Sequence, residues 1–223
     1  MNIAIFGGTF DPIHSGHLQA AEVAARKFHL DRVLFVATGR PPHKMAEQLT
    51  AFEHRYAMVA LACAGHRGFI PSLLEAPSQD GRPSYSIETV RRVARSLGPG
   101  DRLYFILGAD AFLDLPHWKD YRSLLDSADF IVIPRPGFDA QSIRKAASQD
   151  LARARGRQQP GRISLGRSVV YILDGLRLPW ASREIREAIR EDHWPAGCVT
   201  PLVKQYIQKE GLYPSPGSSD GRS

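Results

Sequence analysis

His14 and His17 stand three residues apart, with Ser15 and Gly16 between them, directly after the run Phe6-Gly7-Gly8-Thr9-Phe10-Asp11-Pro12-Ile13. At positions i and i+3 near a helix start, two imidazoles can face one ligand. The helix start itself offers free backbone N–H groups and a partial positive charge, which together make a phosphate cradle. Gly7 and Gly8 are expected to make the tight turn out of the strand. Gly16 would let a phosphate approach the backbone, and Ser15 is predicted as the N-cap. A zinc site would need further ligands, and no Glu or Cys stands at suitable spacing. The pattern reads as a site for phosphate chemistry on a nucleotide.

The flanking elements must hold this segment in place. The apolar run Ile3 to Phe6 reads as a strand and the alanine-rich stretch Leu18 to Phe28 as an amphipathic helix. Further strands are predicted over Arg32–Ala37, Leu103–Leu107, Phe130–Ile133 and Val169–Leu173. Phe69-Ile70 reads as a short strand that Pro71 puts in question. Helices are predicted over Phe52–Ala64, with Tyr56, Val59, Ala60 and Cys63 on one side, over Ser86–Leu97, and from Pro201 to Glu210. Near-continuous apolar strands alternating with helices imply an α/β fold, doubly wound around a mostly parallel sheet. In such folds ligands bind beyond the C-terminal strand ends. Those ends carry Gly7 to His17, Thr38 to Lys44, Gly108 to Asp110, and Pro134-Arg135-Pro136-Gly137. Residues 1–213 are read as one domain, and 214–223, rich in Ser, Gly and Pro, as a disordered tail.

Composition excludes several classes. With 223 residues and 43% hydrophobic content, the chain can bury a full core. No apolar run approaches the roughly 20 residues that span a bilayer, and no basic leader precedes the first strand, so a cytoplasmic protein without membrane contact is expected. Cys63 and Cys198 are too few for a disulfide framework and read as buried bystanders. The net charge of +6 is concentrated in Ala140–Arg167, where Arg144, Lys145, Arg153, Arg155, Arg157, Arg162 and Arg167 face only Asp150. That variable basic segment has Ile143, Ala146, Ala147, Leu151 and Ala154 on one helical face, then a loop at Gln158–Gly161. It lacks aromatics for base stacking, so nucleic-acid binding is not expected.

The segment Gly7 to His17 resembles the HxGH signature of the nucleotidyltransferase superfamily, in which the motif binds a nucleoside triphosphate. Arg40-Pro41-Pro42-His43-Lys44, Pro83-Ser84-Tyr85-Ser86-Ile87-Glu88-Thr89, Gly108-Ala109-Asp110, Leu115-Pro116-His117-Trp118, Pro134-Arg135-Pro136-Gly137 and the end Gly211-Leu212-Tyr213 resemble, in order, motifs of bacterial nicotinate-nucleotide adenylyltransferases. The resemblance runs from Met1 to about Tyr213 and weakens over 140–167. It implies adenylyl transfer from ATP to nicotinate mononucleotide, with pyrophosphate leaving. His14 and His17 would hold the α- and β-phosphates, with Thr9 and the Gly7-Gly8 backbone shaping their pocket and Lys44 adding charge beside them. Gly108 and Asp110 would meet the ribose and adenine. Ser84, Tyr85, Ser86 and Trp118 would frame the acceptor's nicotinate. Arg135 would bind the acceptor phosphate or pair with an acidic neighbour. Magnesium would arrive bound to ATP, since no carboxylate cage for it is evident.

One motif departs from the resemblance. The family's ISSTxIR-type helix start reads Trp180-Ala181-Ser182-Arg183-Glu184-Ile185-Arg186 here. Ser182 and Arg186 are kept, with Arg186 expected in the first helical turn and reaching the pyrophosphate. Arg183 replaces a threonine. It either supplies charge to ATP in place of the hydroxyl, or turns to solvent while Ser182 and backbone N–H groups suffice. Two other readings stay open: transfer to another phosphorylated acceptor such as nicotinamide mononucleotide, and a nucleotide-binding regulator without catalysis. Phosphopantetheine enzymes of the superfamily are shorter and carry TxGH, whereas this chain has His14. Oligomeric state is not legible.

Overall fold

The computed structural model describes residues 1–40, 49–134, 143–145, 161–165, 167–173, 175–176 and 180–215. Lys44, Arg135, most of the basic segment and the end of the tail lie outside the described residues. Seven strands form one sheet in the order β3-β2-β1-β4-β5-β7-β6. They are β1 (Asn2–Gly8), β2 (Arg32–Ala37), β3 (Phe69–Ser72), β4 (Arg102–Gly108), β5 (Asp129–Ile133), β6 (Arg162–Ser164) and β7 (Val169–Ile172). All pairings are parallel except β6 with β7. The helices are α1 (Ser15–Phe28), α2 (Phe52–Cys63), α3 (Ser86–Ala94), α4 (Ala109–Leu113), α5 (Tyr121–Leu125), α6 (Ser182–Arg190) and α7 (Pro201–Glu210), with a short 3-10 turn at Leu115–His117.

Alternation along β1 builds a core on each face of the sheet. Ile3 and Ile5 join Phe105, Phe112, Leu115, Leu124 and Phe130 on one side. Ala4 and Phe6 join Phe10, Phe35, Met58, Val59 and Ala21 on the other. Burial on both faces is what the continuous apolar strands require.

The short strand expected at Phe69-Ile70 is present as β3, and three other local expectations are corrected. Pro71 does not end β3, because β3 is the edge strand and its missing N–H costs no ladder bond. Helix α3 stops at Ala94, and the chain tightens there, with Ser96 N–H on Val93 O and Leu97 N–H on Ala94 O. The buried face of α2 is Phe52, Arg55, Met58, Val59, Ala62 and Cys63, so Tyr56 and Ala60 lie off it and an arginine lies on it. Within the basic segment, Arg162–Ser164 pairs as a strand, with Ile163 fully buried opposite Val170. Cys63 and Cys198 are both buried free thiols, and burial pushes the Cys63 thiol up to about 12.

The strand order reverses between β1 and β4, flanked by β2 and β5. A doubly wound sheet opens a crevice at that point, beyond the C-terminal strand ends. Gly8 pairs with Ala37 at the ends of β1 and β2, while the pairing of β1 with β4 stops at Phe6 and Ile106, two residues before Gly8 and Gly108.

Candidate active site

The chain leaving β1 turns sharply and enters α1 within six residues. The left-handed residue of this turn is Phe10, at φ 48, and neither Gly7 nor Gly8 has positive φ. The glycines provide space: a Cβ on Gly8 would stand 3.2 Å from the Phe10 ring. Phe10 accepts its conformation because its side chain is buried against Phe6 and Phe35. The N-cap of α1 is His14, one residue before the expected Ser15. Ser15 turns instead to the distant chain, donating its N–H (2.8 Å) and its hydroxyl (3.1 Å) to the Cys198 carbonyl.

The two imidazoles come together as the spacing implied. Their centroids are 3.7 Å apart, with the His17 ring also edge-on to Phe10 at 5.0 Å. The backbone N–H of His14 donates to His17 Nδ1 at 3.2 Å. An Nδ1 that accepts carries no proton, so the proton of His17 sits on Nε2. The backbone thus holds the His17 ring in orientation at the opening of α1, packed against the buried His14.

The loop beneath the histidines is held from behind by residues that sequence reasoning did not single out. Arg55, 1% exposed, donates from Nη1 to the Thr9 carbonyl (2.7 Å), from Nε to the Thr50 carbonyl (2.8 Å), and from Nη2 to the Gly39 carbonyl (3.4 Å). Burial lowers its pKa and the nearby Asp11 counters this. Asp11, also 1% exposed, accepts from the Tyr213 hydroxyl (2.7 Å) and the Thr50 N–H (3.2 Å). Burial, with the Asp11 charge, pushes the Tyr213 phenol well above its usual range, so it remains a donor. The signal for Arg55 was its place in the helical stripe Phe52, Arg55, Val59. A charged residue there has to find partners.

Helix α6 meets the same loop from its N-terminal end. Ser182 Oγ donates to the Pro12 carbonyl (2.9 Å), and Arg186 Nη1 donates to the Asp11 carbonyl (2.5 Å). Arg186 opens the second turn, since α6 begins at Ser182, rather than lying in the first as expected. Ala181 has no hydroxyl, and Glu184 caps the helix by accepting the Ala181 N–H at 2.9 Å. Arg183 turns to solvent, with 82% of its side chain exposed and Nε paired to Glu187 at 2.8 Å. Arg183 thus takes the solvent-facing position named in the second of its two readings.

The opposite wall begins at the end of β2. A Cβ on Gly39 would stand 2.0 Å from the Glu75 carbonyl oxygen, so only glycine lets these two backbones touch. Arg40 exchanges backbone contacts with Ser84, whose N–H donates to the Arg40 carbonyl at 3.1 Å. Tyr85 is the N-cap of α3, which starts at Ser86. The Lys119 ammonium lies 3.8 Å over the Tyr85 ring and pairs with Glu88 at 3.0 Å. That contact occupies one face of Tyr85. Next to Lys119 stands the half-buried Trp118, held by its indole N–H on Asp114 (3.1 Å) and edge-on to Phe105. Asp110 is exposed in the first turn of α4, just past Gly108 at the end of β4. The described candidates of both walls therefore stand at the ends of β1 and β4, on the segments that follow β1, β3 and β4, and on the start of α6.

A helix start capped by one of two paired histidines, at the switch point of a doubly wound sheet, belongs to a known class. A family model described as cytidylyltransferase-like matches residues 5–188, and the chain belongs to that family of nucleotidyltransferases. A protein of Solibacter usitatus named probable nicotinate-nucleotide adenylyltransferase is 37% identical over 213 residues, covering 96% of this chain and 100% of the relative. One of the same name from Geobacter sulfurreducens is 37% identical, covering 97% and 100%. Within the class the chain belongs with the nicotinate-nucleotide adenylyltransferases, and it is an enzyme. The fold agrees: the Plasmodium falciparum nicotinic acid mononucleotide adenylyltransferase complexed with NaAD superposes with a TM-score of 0.70 at 21% identity, covering 95% of this chain and 97% of the other. The same Plasmodium enzyme complexed with APC gives 0.68, covering 95% and 96%. Among the described residues no helix is long and apolar enough to cross a membrane.

Proposed function

We propose that this chain moves the adenylyl group of ATP onto nicotinate mononucleotide, yielding deamido-NAD and pyrophosphate. The observation that carries the reading is the closely packed pair His14 and His17 at the mouth of α1, in a chain that matches adenylyltransferases over their full length. An oxygen of the acceptor's phosphate attacks the α-phosphorus of ATP. The bond from that phosphorus to the bridging oxygen breaks, and its electron pair departs on pyrophosphate.

No covalent intermediate with the protein is needed. The chain's work is positioning and charge neutralisation. His14 and His17 would hold the α- and β-phosphates, and His17 would donate from Nε2 to the charge that grows on the reacting oxygens. Gly7, Gly8 and Thr9 would shape the floor. Ser182 and Arg186 would complete the pyrophosphate side from α6, Arg186 while anchored to the Asp11 carbonyl. Gly108 and Asp110 would meet the nucleoside. Ser84, Ser86, Tyr85 and Trp118 would bound the acceptor, with Trp118 as the aromatic surface because Lys119 covers a face of Tyr85. Lys44 and Arg135 would add positive charge at the reacting and acceptor phosphates. Arg183 is assigned no contact with ATP.

Magnesium would enter on the phosphate oxygens of ATP and neutralise part of their charge. Among the described residues no group of three or more His, Cys, Asp or Glu is arranged to cage it separately. We further propose that residues 1–213 act as one domain and that the enzyme works in the cytoplasm without nucleic-acid partners. Parallel assays of pyrophosphate release from ATP with nicotinate mononucleotide and with nicotinamide mononucleotide test the reading. Clear preference for the acid is expected. Preference for the amide, or binding of ATP without turnover of either, contradicts it.

A further inference from the structure

Glu75 lies between β3 and α3, 9% exposed, and the chemistry above makes no use of it. Its carboxylate accepts the hydroxyl of Thr89 at 2.8 Å, and the hydroxyl of Thr38 bonds it as well. Its carbonyl accepts the Ser84 hydroxyl at 3.4 Å and is the atom that a Cβ on Gly39 would strike. One residue therefore touches three separate segments. These are the end of β2 at Thr38 and Gly39, the Ser84 loop, and the first turns of α3, where Thr89 follows Ser86 by three positions. Arg40 closes the same circle, with its guanidinium on the Gly81 carbonyl at 2.7 Å and its backbone on Ser84.

We propose that Glu75 is a positioning residue for acceptor binding, setting the Ser84–Ser86 loop against the end of β2. The proposal rests on the reading of that loop as the acceptor wall. A buried carboxylate is an expensive way to pack this space, because ionisation there forfeits hydration. Its pKa is raised to about 6 by burial, against the opposing pull of the two threonine hydroxyls. The consequence separates positioning from mere support. An uncharged amide there relieves the cost of burial but replaces one of the two acceptor oxygens by a donor, so stability should hold while the threonine contacts and the acceptor site loosen, whereas a structural prop would lose both stability and activity.

The test is Glu75→Gln in the full chain, with KM for each substrate, kcat, and urea denaturation at pH 8. The acceptor KM is expected to rise at least fivefold, with ATP KM and kcat within twofold and stability equal to or above that of the parent. Thr89→Val should reproduce the rise in acceptor KM, and Thr89→Ser, which keeps the hydroxyl, should not. An unchanged acceptor KM in Glu75→Gln overturns the proposal, as does a joint loss of kcat, both KM values and stability. Failure of the parent enzyme to turn over either pyridine mononucleotide would instead overturn the proposed function, and this proposal with it.

Discussion

Replacing Arg55 by Met removes the guanidinium that ties three loops together while keeping much of the volume of its stem. Two of its bonds are short and charge-assisted, 2.7 Å to the Thr9 carbonyl and 2.8 Å to the Thr50 carbonyl. Bonds to charged groups contribute about 1.5–3 kcal/mol each. The third, at 3.4 Å to Gly39, is long and adds little. Against this stands the cost of burying the cation, visible in its lowered pKa, which Met avoids. The balance is a net loss of about 3 kcal/mol, with carbonyls left unpaired under the histidine loop. For a chain of this size that corresponds to a fall in Tm of roughly 6–12 °C. Arg55→Lys keeps the charge but cannot span carbonyls on three segments, so it should recover only part of the loss. Urea denaturation gives the free energy, and an unchanged m-value shows that the folded and unfolded states are otherwise comparable. Because Thr9 and Gly39 border the site, ATP KM should rise in Arg55→Met as well. Stability within about 1 kcal/mol of the parent would refute the idea that this buried cation sets the loops.

Arg183→Ala should leave ATP KM unchanged within twofold, because its side chain faces water and pairs with Glu187; a rise of tenfold would restore its role as a phosphate ligand. Tyr213→Phe deletes the donor to buried Asp11 and should cost about 1–3 kcal/mol in denaturation, with an unchanged midpoint counting against the C-terminal clasp. Glu75 sets a pH dependence whose sign follows from its raised pKa. The folded state holds this proton more tightly than the unfolded chain does. Its contribution is therefore fully present below the ordinary 4.5 and lost as pH rises through about 6. The stability of Glu75→Gln minus that of the parent should grow by about 2 kcal/mol between pH 4.5 and 7, and a difference flat with pH would show that Glu75 titrates normally.

The sheet and the positions of its loops were legible because burial on both faces forces unbroken apolar strands, and parallel strands put their loops at one edge. The bounds expected for Arg32–Ala37 match β2 for that reason, and those expected for Pro201–Glu210 match α7, whose ends the structure caps with Thr200 and Gly211. The partners of the histidine loop were less legible. Thr9, Asp11 and Pro12 are held through backbone carbonyls, and a carbonyl carries no residue-type signature. Strand β6 escaped because three residues, one apolar, leave no periodicity, and its pairing with β7 is decided by tertiary contact. Phe10 shows the same limit: its left-handed backbone is set by the pocket that buries its ring, while the neighbouring glycines drew attention as the expected turn.

The most direct measurement of the central claim is the turnover of His17→Ala with ATP and nicotinate mononucleotide, read by pyrophosphate release and paired with a melting curve. His17 is only half-buried, and its ring packs against His14, Phe6 and Phe10, so the variant should stay folded. Removing a transition-state donor of this kind costs on the order of 10²–10³ in kcat. A folded variant that loses kcat on that scale is the expected result. A folded variant that turns over at close to the parent rate would mean that the paired histidines do not carry the transfer.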